Sequence, residues 1–137
     1  MDDYEELKNI DCNTVMKFSL KGMTYQAIVV SVYDGDTITV VFKFANKFYK
    51  WNCRINGIDT PEIKTKNIDE KAYAIKARDA LRSKILGNII QITCGDFDKY
   101  GRLLVDVIYC DENINKYMID AGFAKIYTGG TKNEWEF

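Results

Sequence analysis

The chain has 137 residues, a length that accommodates one hydrophobic core of ordinary size. With 47% hydrophobic and 28% charged residues, it has the composition of a folded globular protein rather than a disordered one. Histidine is absent, which excludes a Ser-His-Asp triad and the zinc sites that require histidine. The four cysteines form no CxxC pair, and this argues against a dithiol redox centre.

Charge is unevenly distributed along the chain. Nineteen basic against twenty acidic residues leave a net charge of −1, and residues 1–11 alone carry five acidic residues against one lysine. A near-neutral total is not typical of nucleic-acid-binding proteins, so such a function requires a local excess of positive charge. Arginine is scarce, with four residues against fifteen lysines, and this makes its positions informative.

The N-terminal sequence lacks the basic and apolar regions of a secretory signal, and no segment reaches the roughly 20 apolar residues of a membrane span. We therefore expect an intracellular protein, while a processed secreted form stays open. We treat residues 1–13 as an acidic N-terminal extension and residues 14–137 as a single domain. Nothing in the sequence implies a membrane or a stable protein partner, and we expect a monomer.

The first half of the chain is rich in β-branched and aromatic residues. Turn signals stand at Lys21-Gly22 and Asp34-Gly35. These patterns predict a short acidic helix over 3–10 and then strands over 14–20, 24–33, 36–44 and 47–57.

The second half predicts a helix, two strands and another helix. Residues 70–86 form the first helix, with Asp69 as its cap and Gly87 at its end. Its apolar stripe consists of Ala74, Ala77, Leu81 and Ile85. Strands over 88–94 and 102–110 and a helix over 112–121, ended by Gly122, complete the order. This order predicts an α+β fold, an OB-fold-like five-stranded Greek-key β-barrel with two to three helices.

Three short motifs stand out: Asp34-Gly35-Asp36-Thr37, Arg54 followed by Asp59-Thr60-Pro61-Glu62, and Asp98-Lys99-Tyr100-Gly101-Arg102. Each also has a purely structural interpretation, namely a type I′ hairpin turn, a helix entry and an ordinary hairpin turn. Those interpretations leave two arginines and an aspartate at a strand start unexplained. The chain's only proline also stiffens the segment between Asp59 and Glu62.

Phosphodiester hydrolysis is the chemistry that these groups suit. Two aspartates and a backbone carbonyl are hard oxygen ligands for Ca²⁺ or a similar cation. Two guanidinium groups can bind phosphate oxygens and stabilise a five-coordinate transition state. A further carboxylate can accept a proton from the attacking water, so no histidine is required.

In this order and at this spacing, the motifs resemble the staphylococcal nuclease family over roughly residues 27–127, including Gly122-Phe123-Ala124-Lys125. The resemblance implies an OB-type barrel that cleaves DNA and RNA with Ca²⁺, little sequence specificity and 3′-phosphate ends. It implies calcium ligation by the carboxylates of Asp36 and Asp59 and the backbone carbonyl of Thr60. It further implies roles in positioning or activating water for Glu62, in contacting the scissile phosphate for Arg54 and Arg102, and in contacting the nucleotide for Lys99, Tyr100 and Tyr127.

Two alternatives stay open beside an active nuclease. One is a catalytically silent nucleic-acid- or protein-binding module on the same fold, and the other is an unrelated small barrel with coincidental turns. The complete set of acids and arginines favours the enzyme. Compared with the secreted prototype of the family that the motifs resemble, this chain has a short loop after Glu62 and a third helix truncated to residues 131–137. Its net charge is also lower, which predicts weaker affinity for nucleic acid.

For other residues we prefer a structural interpretation to a functional one. Five strand aromatics could form a base-stacking face, but we favour the barrel core for them; they are Tyr25, Phe42, Phe44, Phe48 and Trp51. Arg78 and Arg82 are expected on a solvated helix face.

Overall fold

Eight strands and three α-helices follow one another along residues 2–129 and 135–137, the part of the chain that the computed structural model describes. A short 3-10 helix, Cys12–Thr14, follows the first α-helix. In chain order the other elements are α1 (Asp3–Lys8), β1 (Thr24–Val32), β2 (Thr37–Phe44), β3 (Lys47–Ile55), β4 (Ile58–Asp59), α2 (Ile68–Ile85), β5 (Ile89–Phe97), β6 (Leu103–Tyr109), β7 (Glu112–Asn113), α3 (Ile114–Asp120) and β8 (Lys125–Ile126).

The five long strands form a closed barrel. β1 lies between β2 and β5, β3 pairs with the other edge of β2, and β6 pairs with the other edge of β5, all antiparallel. The barrel closes where β3 and β6 run parallel, with Arg54 opposite Leu104. This confirms the predicted α+β class and the OB-fold-like five-stranded barrel, with three α-helices.

The barrel interior follows from the alternation of apolar residues in its strands. In β2, Ile38, Val40 and Phe42 are buried and the residues between them are more exposed. One face of α2 packs against the barrel, because its whole predicted stripe is buried: Ala74, Ala77, Leu81 and Ile85. Burial of each large aliphatic side chain contributes about 1.5–3 kcal/mol, so this stripe holds α2 in place.

The N-terminus of α2 differs from the prediction by two residues. The cap is Asn67 rather than Asp69, because the Asn67 side chain accepts a hydrogen bond from the Glu70 backbone N–H at 3.0 Å. This satisfies one of the free N–H groups of the first helical turn, and Asp69 then lies inside that turn. Gly87 follows the helix with φ of 78°, as its predicted role as terminator requires.

The predicted strand over 14–20 is wrong. Residues 15–23 contain no strand, and only Leu20 among residues 14–20 is buried. Both edges of β1 are already occupied by β2 and β5, so a preceding hairpin strand has no edge with which to pair. The turn at Lys21-Gly22 does form. The Gly22 backbone N–H donates a hydrogen bond to the Cys94 carbonyl of β5, and the Cys94 backbone N–H donates to the Met23 carbonyl. Strand-forming residue types were therefore not sufficient here.

The C-terminal part of the chain has a shorter helix than predicted. α3 begins at Ile114 because Asn113 caps it, while Glu112 and Asn113 form β7 beside β6. The truncated third helix expected over 131–137 lies largely outside the described residues, which omit 130–134. No helix in the described ranges is long and apolar enough to cross a membrane.

Four of the five strand aromatics belong to the core. The rings of Tyr25, Phe42 and Trp51 form a stack, with centroid distances of 4.3 and 4.4 Å between neighbours. Phe44 packs against the same cluster, and its ring meets Trp51 edge to face. Phe48 is the exception, because 70% of it is exposed near the tip of the β2–β3 hairpin.

Candidate active site

A buried polar cluster forms where β2, β3 and β4 come together. Register places Thr37 opposite Arg54, and the Ile55 backbone N–H donates to the Asp36 carbonyl at 2.8 Å. These pairings bring Asp36, directly before β2, beside the end of β3. The chain then turns through β4, which delivers Asp59 and Thr60 to the same place.

Arg54 lies between the two predicted metal-binding carboxylates. Its Nη2 is 3.4 Å from Asp36 Oδ2 and 3.8 Å from Asp59 Oδ1. The Thr60 backbone N–H also donates to Asp36 Oδ2, at 3.2 Å. The structure therefore gathers Asp36, Arg54, Asp59 and Thr60, which are separated by up to 24 positions in the sequence, into one buried cluster.

The Arg54 guanidinium is also held by the backbone. Its Nη1 donates to the carbonyl oxygens of Ile55 and Ile58 at 3.2 and 2.9 Å. The buried arginine is tolerated because Nη1 and Nη2 both donate hydrogen bonds and its charge is balanced by neighbouring carboxylates. The guanidinium carbon lies 5.4 Å from the centroid of the Tyr127 ring, so one side of the group faces the predicted nucleotide contact.

The Asp34-Gly35 turn is not the type I′ turn that its sequence favours. That turn requires positive φ at both central residues, and neither residue has it. The glycine instead permits close packing, because a Cβ at position 35 would lie 2.8 Å from Thr60 Cγ2 and 3.1 Å from Ala77 Cβ. Gly35 therefore brings the loop before β2 against Thr60 and α2.

Asp34 is a member of the cluster that was not singled out from the sequence. It is buried, and its Oδ1 accepts a hydrogen bond from the Asp36 backbone N–H at 3.0 Å. Burial and the neighbouring Asp36 charge raise the pKa of Asp34 to about 7. Its spacing of two residues from Asp36 was the available signal. Two of the buried carboxylates, those of Asp36 and Asp59, flank one guanidinium, and this leaves an excess of negative charge.

The segment Thr60-Pro61-Glu62 does not begin a helix, since α2 starts only at Ile68. Glu62 is exposed, and its backbone N–H donates to Glu70 Oε2 at 3.1 Å, which ties the segment to the first turn of α2. Thr60 is buried, and its hydroxyl oxygen has no hydrogen-bond partner among the described residues. The proline-stiffened segment is anchored at both ends by backbone N–H groups, because that of Thr60 donates to Asp36 and that of Glu62 donates to Glu70.

A cavity of about 710 Å³ adjoins the cluster. Arg54 lies in its wall, as do all the other predicted phosphate- and nucleotide-contacting residues: Lys99, Tyr100, Arg102 and Tyr127. Lys99 Nζ and Arg102 Cζ lie 5.1 and 5.4 Å from the Tyr100 ring centroid. Positive charge and aromatic surface therefore meet in one cavity, although the chain as a whole carries a net charge of −1.

Arg102 is positioned by Asp98. Its Nε donates to Asp98 Oδ2 at 2.8 Å, and the backbone N–H groups of Arg102 and Tyr100 both donate to Asp98 Oδ1 at 2.9 Å. Partial burial works against the charged form, yet these hydrogen bonds and the guanidinium hold the pKa of Asp98 below its usual value. Residues 98–102 therefore form a hairpin turn, as the structural interpretation predicts, and the same turn positions Arg102 in the cavity wall.

Arg82 is partly exposed on its helix face, as expected, but its guanidinium also has a structural contact. Its Nε and Nη2 donate to the Val32 carbonyl at 3.2 and 3.0 Å, across 50 positions of sequence. Val32 ends β1, directly before the loop that carries Asp34 and Asp36. Arg82 therefore anchors this loop from α2, and no local sequence pattern could have shown the contact.

The donor set fits a hard divalent cation. Among the described residues, no three histidine, cysteine, aspartate or glutamate side chains are grouped so as to hold a metal ion. The carboxylates of Asp36 and Asp59 nevertheless flank the same guanidinium nitrogen, and Thr60 contacts Asp36 through its backbone. Oxygen ligands in a cluster with excess negative charge suit Ca²⁺ with several water ligands.

Comparison with known proteins identifies the family. Residues 52–136 match the family model described as staphylococcal nuclease homologue, which is more than half of the chain. The chain belongs to the staphylococcal nuclease family. The match includes Arg54, Asp59 and Arg102 but begins after Asp36, so the contacts described above are what place Asp36 beside the matched residues.

Several relatives carry nuclease names. An "Uncharacterized endonuclease" of Escherichia coli O157:H7 is 34% identical over 100 residues, covering 72% of this chain and 59% of that protein. One of the same name from Haemophilus influenzae is 32% identical over 99 residues, covering 72% and 51%. A "Probable staphylococcal-like nuclease CAN1" of Oryza sativa subsp. japonica is 34% identical over 80 residues, covering 58% and 22%. The chain therefore spans only part of the length of these relatives.

Proposed function

We propose that this protein is a calcium-dependent nuclease that hydrolyses phosphodiester bonds of DNA, RNA or both, with little sequence specificity, and leaves 3′-phosphate ends. One observation carries the proposal: Arg54 lies against the carboxylates of Asp36 and Asp59 and also in the wall of the cavity that contains Arg102. A phosphate in that cavity would meet two guanidinium groups next to an oxygen-rich cation site. Family membership and the nuclease names of the relatives support the same conclusion.

The calcium ion would be held by the carboxylates of Asp36 and Asp59 and the backbone carbonyl of Thr60. When bound, it supplies positive charge to the phosphate oxygens and thereby makes the phosphorus more electrophilic. Two buried carboxylates against one guanidinium leave negative charge that an added cation would offset.

The chain's own residues account for the remaining steps. Arg54 and Arg102 bind the non-bridging oxygens and stabilise the charge that develops on them in the five-coordinate transition state. The water oxygen forms a bond to phosphorus, its proton passes to the Glu62 carboxylate, and the bond to the 5′ oxygen breaks. The 5′ oxygen takes up a proton from solvent and leaves as a hydroxyl, and the phosphate stays on the 3′ side. Lys99, Tyr100 and Tyr127 orient the nucleotide.

The test is digestion of plasmid DNA and of a long RNA with Ca²⁺, Mg²⁺, Mn²⁺ or EGTA. Calcium should support cleavage and EGTA should stop it. Product ends should accept label from polynucleotide kinase without prior phosphatase treatment, because they carry a free 5′ hydroxyl. Cleavage that persists in EGTA, or ends that need phosphatase first, would contradict the proposed calcium dependence or the proposed bond cleaved.

The silent binding module is separated from the enzyme by the same assay. That alternative predicts that DNA or RNA is bound at low salt but not cut under any of the metal conditions. Binding is measured by fluorescence anisotropy of a labelled oligonucleotide in EGTA, where an active enzyme would not consume its substrate.

A further inference from the structure

The β2–β3 hairpin carries positive charge without any acidic residue. Between Asp36 and Asp59 the sequence contains Lys43, Lys47, Lys50 and Arg54 and no aspartate or glutamate. The whole chain has a net charge of −1, so this segment is a strong local departure from the average. Such a patch favours a polyanion as its partner.

The outward face of β3 forms a row that ends at the cavity. Side chains alternate along a strand, so Phe48, Lys50 and Asn52 lie on the same side as Arg54. The three are exposed, whereas Trp51 and Cys53 on the other side pack in the core. At about 3.3 Å per residue, the row from Arg54 to Phe48 extends roughly 20 Å.

β2 adds to the same face. Its residue Lys43 is paired with Phe48, and the Lys43 Nζ lies 5.8 Å from the centroid of the Phe48 ring. Closer to the cavity, the side chains of Thr39 and Asn52 share a hydrogen bond of 3.1 Å. A charge for a phosphate and an exposed ring for a base therefore stand together at the far end of the row.

We propose that the outward face of the β2–β3 hairpin is a subsite for single-stranded nucleic acid, which binds the part of the substrate strand that extends beyond the cleaved nucleotide. Lys43 and Lys50 contact phosphates, and the exposed ring of Phe48 stacks on a base. Binding of this kind combines a cationic surface along the backbone with aromatic stacking. The inference rests on the proposed nuclease function and deepens it by extending the substrate site.

Two observations select a nucleic acid strand as the occupant. From Lys43 to Asn52 the hairpin carries lysines and no carboxylate, and the row leads along β3 to Arg54, which lies in the cavity wall. Phe48 is 70% exposed. The other aromatic residues of β3 do pack, since Trp51 lies against the core and Tyr49 contacts the ring of Trp51. Packing therefore does not account for the position of Phe48. A polynucleotide anchored at Arg54 would meet Lys50 and then Phe48 along the row.

The experiment compares two substrates of the same base composition in calcium buffer: a thymidine dinucleotide, which fills only the cavity, and an oligothymidylate of about 12 nucleotides. Phe48→Ala should raise KM for the long substrate by about tenfold, and Lys50→Gln by a few fold, with kcat unchanged. KM for the dinucleotide should stay the same. Lys50→Gln should also reduce the slope of log KM against log salt by about one for the long substrate.

Lys116→Gln is the matched control, because it also removes one positive charge, but from a different element. Lys116 lies on α3, which packs mainly against β4, β6 and β7 rather than against the β2–β3 hairpin. It should leave KM for both substrates unchanged. If Phe48→Ala and Lys50→Gln change KM for the long substrate by less than about twofold, the proposed subsite is refuted, whereas the proposed nuclease function is not. Binding of a peptide strand by the hairpin would not alter that conclusion. If the unaltered protein cleaves neither substrate, the nuclease and the subsite that rests on it both fall.

Discussion

Arg54 Nη2 lies 3.4 Å from Asp36 Oδ2, and this contact joins the buried carboxylate cluster to the cavity wall. The same guanidinium is 5.4 Å from the Tyr127 ring, on the side of the predicted nucleotide. Charge balance among the buried carboxylates and the proposed binding of a phosphate therefore depend on a single side chain. Variants at Arg54 would disturb both functions at once, so sharper tests use other residues.

Arg102→Ala should lower kcat by about 10²–10³-fold or more, since one group that stabilises charge in the transition state is lost. The fold should be retained, because Arg102 is partly exposed and pairs only locally with Asp98. Initial rates of DNA cleavage in calcium, with a thermal unfolding curve for each protein, provide the measurement. Arg78→Ala is the control, because Arg78 pairs with its neighbour Asp79 on α2 and should show normal kcat. Near-normal activity of Arg102→Ala would remove this residue from the mechanism.

Gly35→Ala should destabilise the protein by about 1–3 kcal/mol, because the new methyl group overlaps Thr60 Cγ2 at 2.8 Å. The displaced loop should also weaken calcium binding, since it carries Asp36. Urea unfolding measures the first effect and calcium titration by calorimetry the second. Gly95→Ala serves as the control, since its Cβ would meet Leu104 Cβ at an ordinary 3.4 Å. Equal stability of the two variants would show that the close approach at Gly35 is not restrictive.

Asp34 should make stability depend on pH in the absence of divalent cations. An acid whose pKa is higher in the folded state binds its proton more tightly there, so its contribution is complete below about pH 4 and is lost as pH rises through about 7. Asp34→Asn keeps the oxygen that accepts from the Asp36 N–H but cannot ionise. It should therefore match the unaltered protein at pH 4 and be the more stable of the two at pH 8. Urea unfolding in EGTA across this range measures the difference, and parallel curves would refute the effect.

Arg82→Leu should reduce both stability and activity, although Arg82 lies outside the cavity. It removes two hydrogen bonds to the Val32 carbonyl, a loss of about 1.5–3 kcal/mol for bonds from a charged group. The loop after β1 would lose its anchor, so calcium affinity should fall together with kcat. Arg78→Leu on the same helix should change neither. Calcium affinity that is unaffected by Arg82→Leu would limit this residue to a role in stability.

Ala45 and Asn46 connect β2 to β3 with φ of 51° and 66°, values that suit Asn-Gly better than Ala-Asn. Combining Ala45→Asn with Asn46→Gly should raise the free energy of unfolding by about 1 kcal/mol. Chemical denaturation measures the gain. Cleavage should be unaltered, because neither residue lies in the cavity wall.

Local patterns were sufficient for much of the fold. Alternation in β2 and the stripe on α2 predicted their buried faces, because burial follows the period of the element. The strand expected over 14–20 failed because pairing depends on which sheet edges are free, and that is a property of the whole topology. A cap at Asn67 rather than Asp69 reflects the small energetic difference between two good capping residues.

The candidate site was partly accessible from the sequence. Residues in the three motifs were found because their types and spacing suit one chemistry, and the structure brings Asp36, Arg54 and Asp59 together. Arg82 and Asp34 were missed for different reasons. The Arg82 contact spans 50 positions with no local pattern, whereas Asp34 was interpreted only as part of a turn.

The parallel contact of β3 with β6 has a consequence for biosynthesis. The barrel closes only when Cys53–Ile55 meet Leu103–Val105, segments made far apart in time on the ribosome. A nascent chain that ends before β6 holds every predicted metal ligand but has no Arg102 and no closed barrel. Closure of the barrel should therefore come late in synthesis and cooperatively, and the proposed nuclease activity should be absent from an incomplete polypeptide that still lies beside its own message.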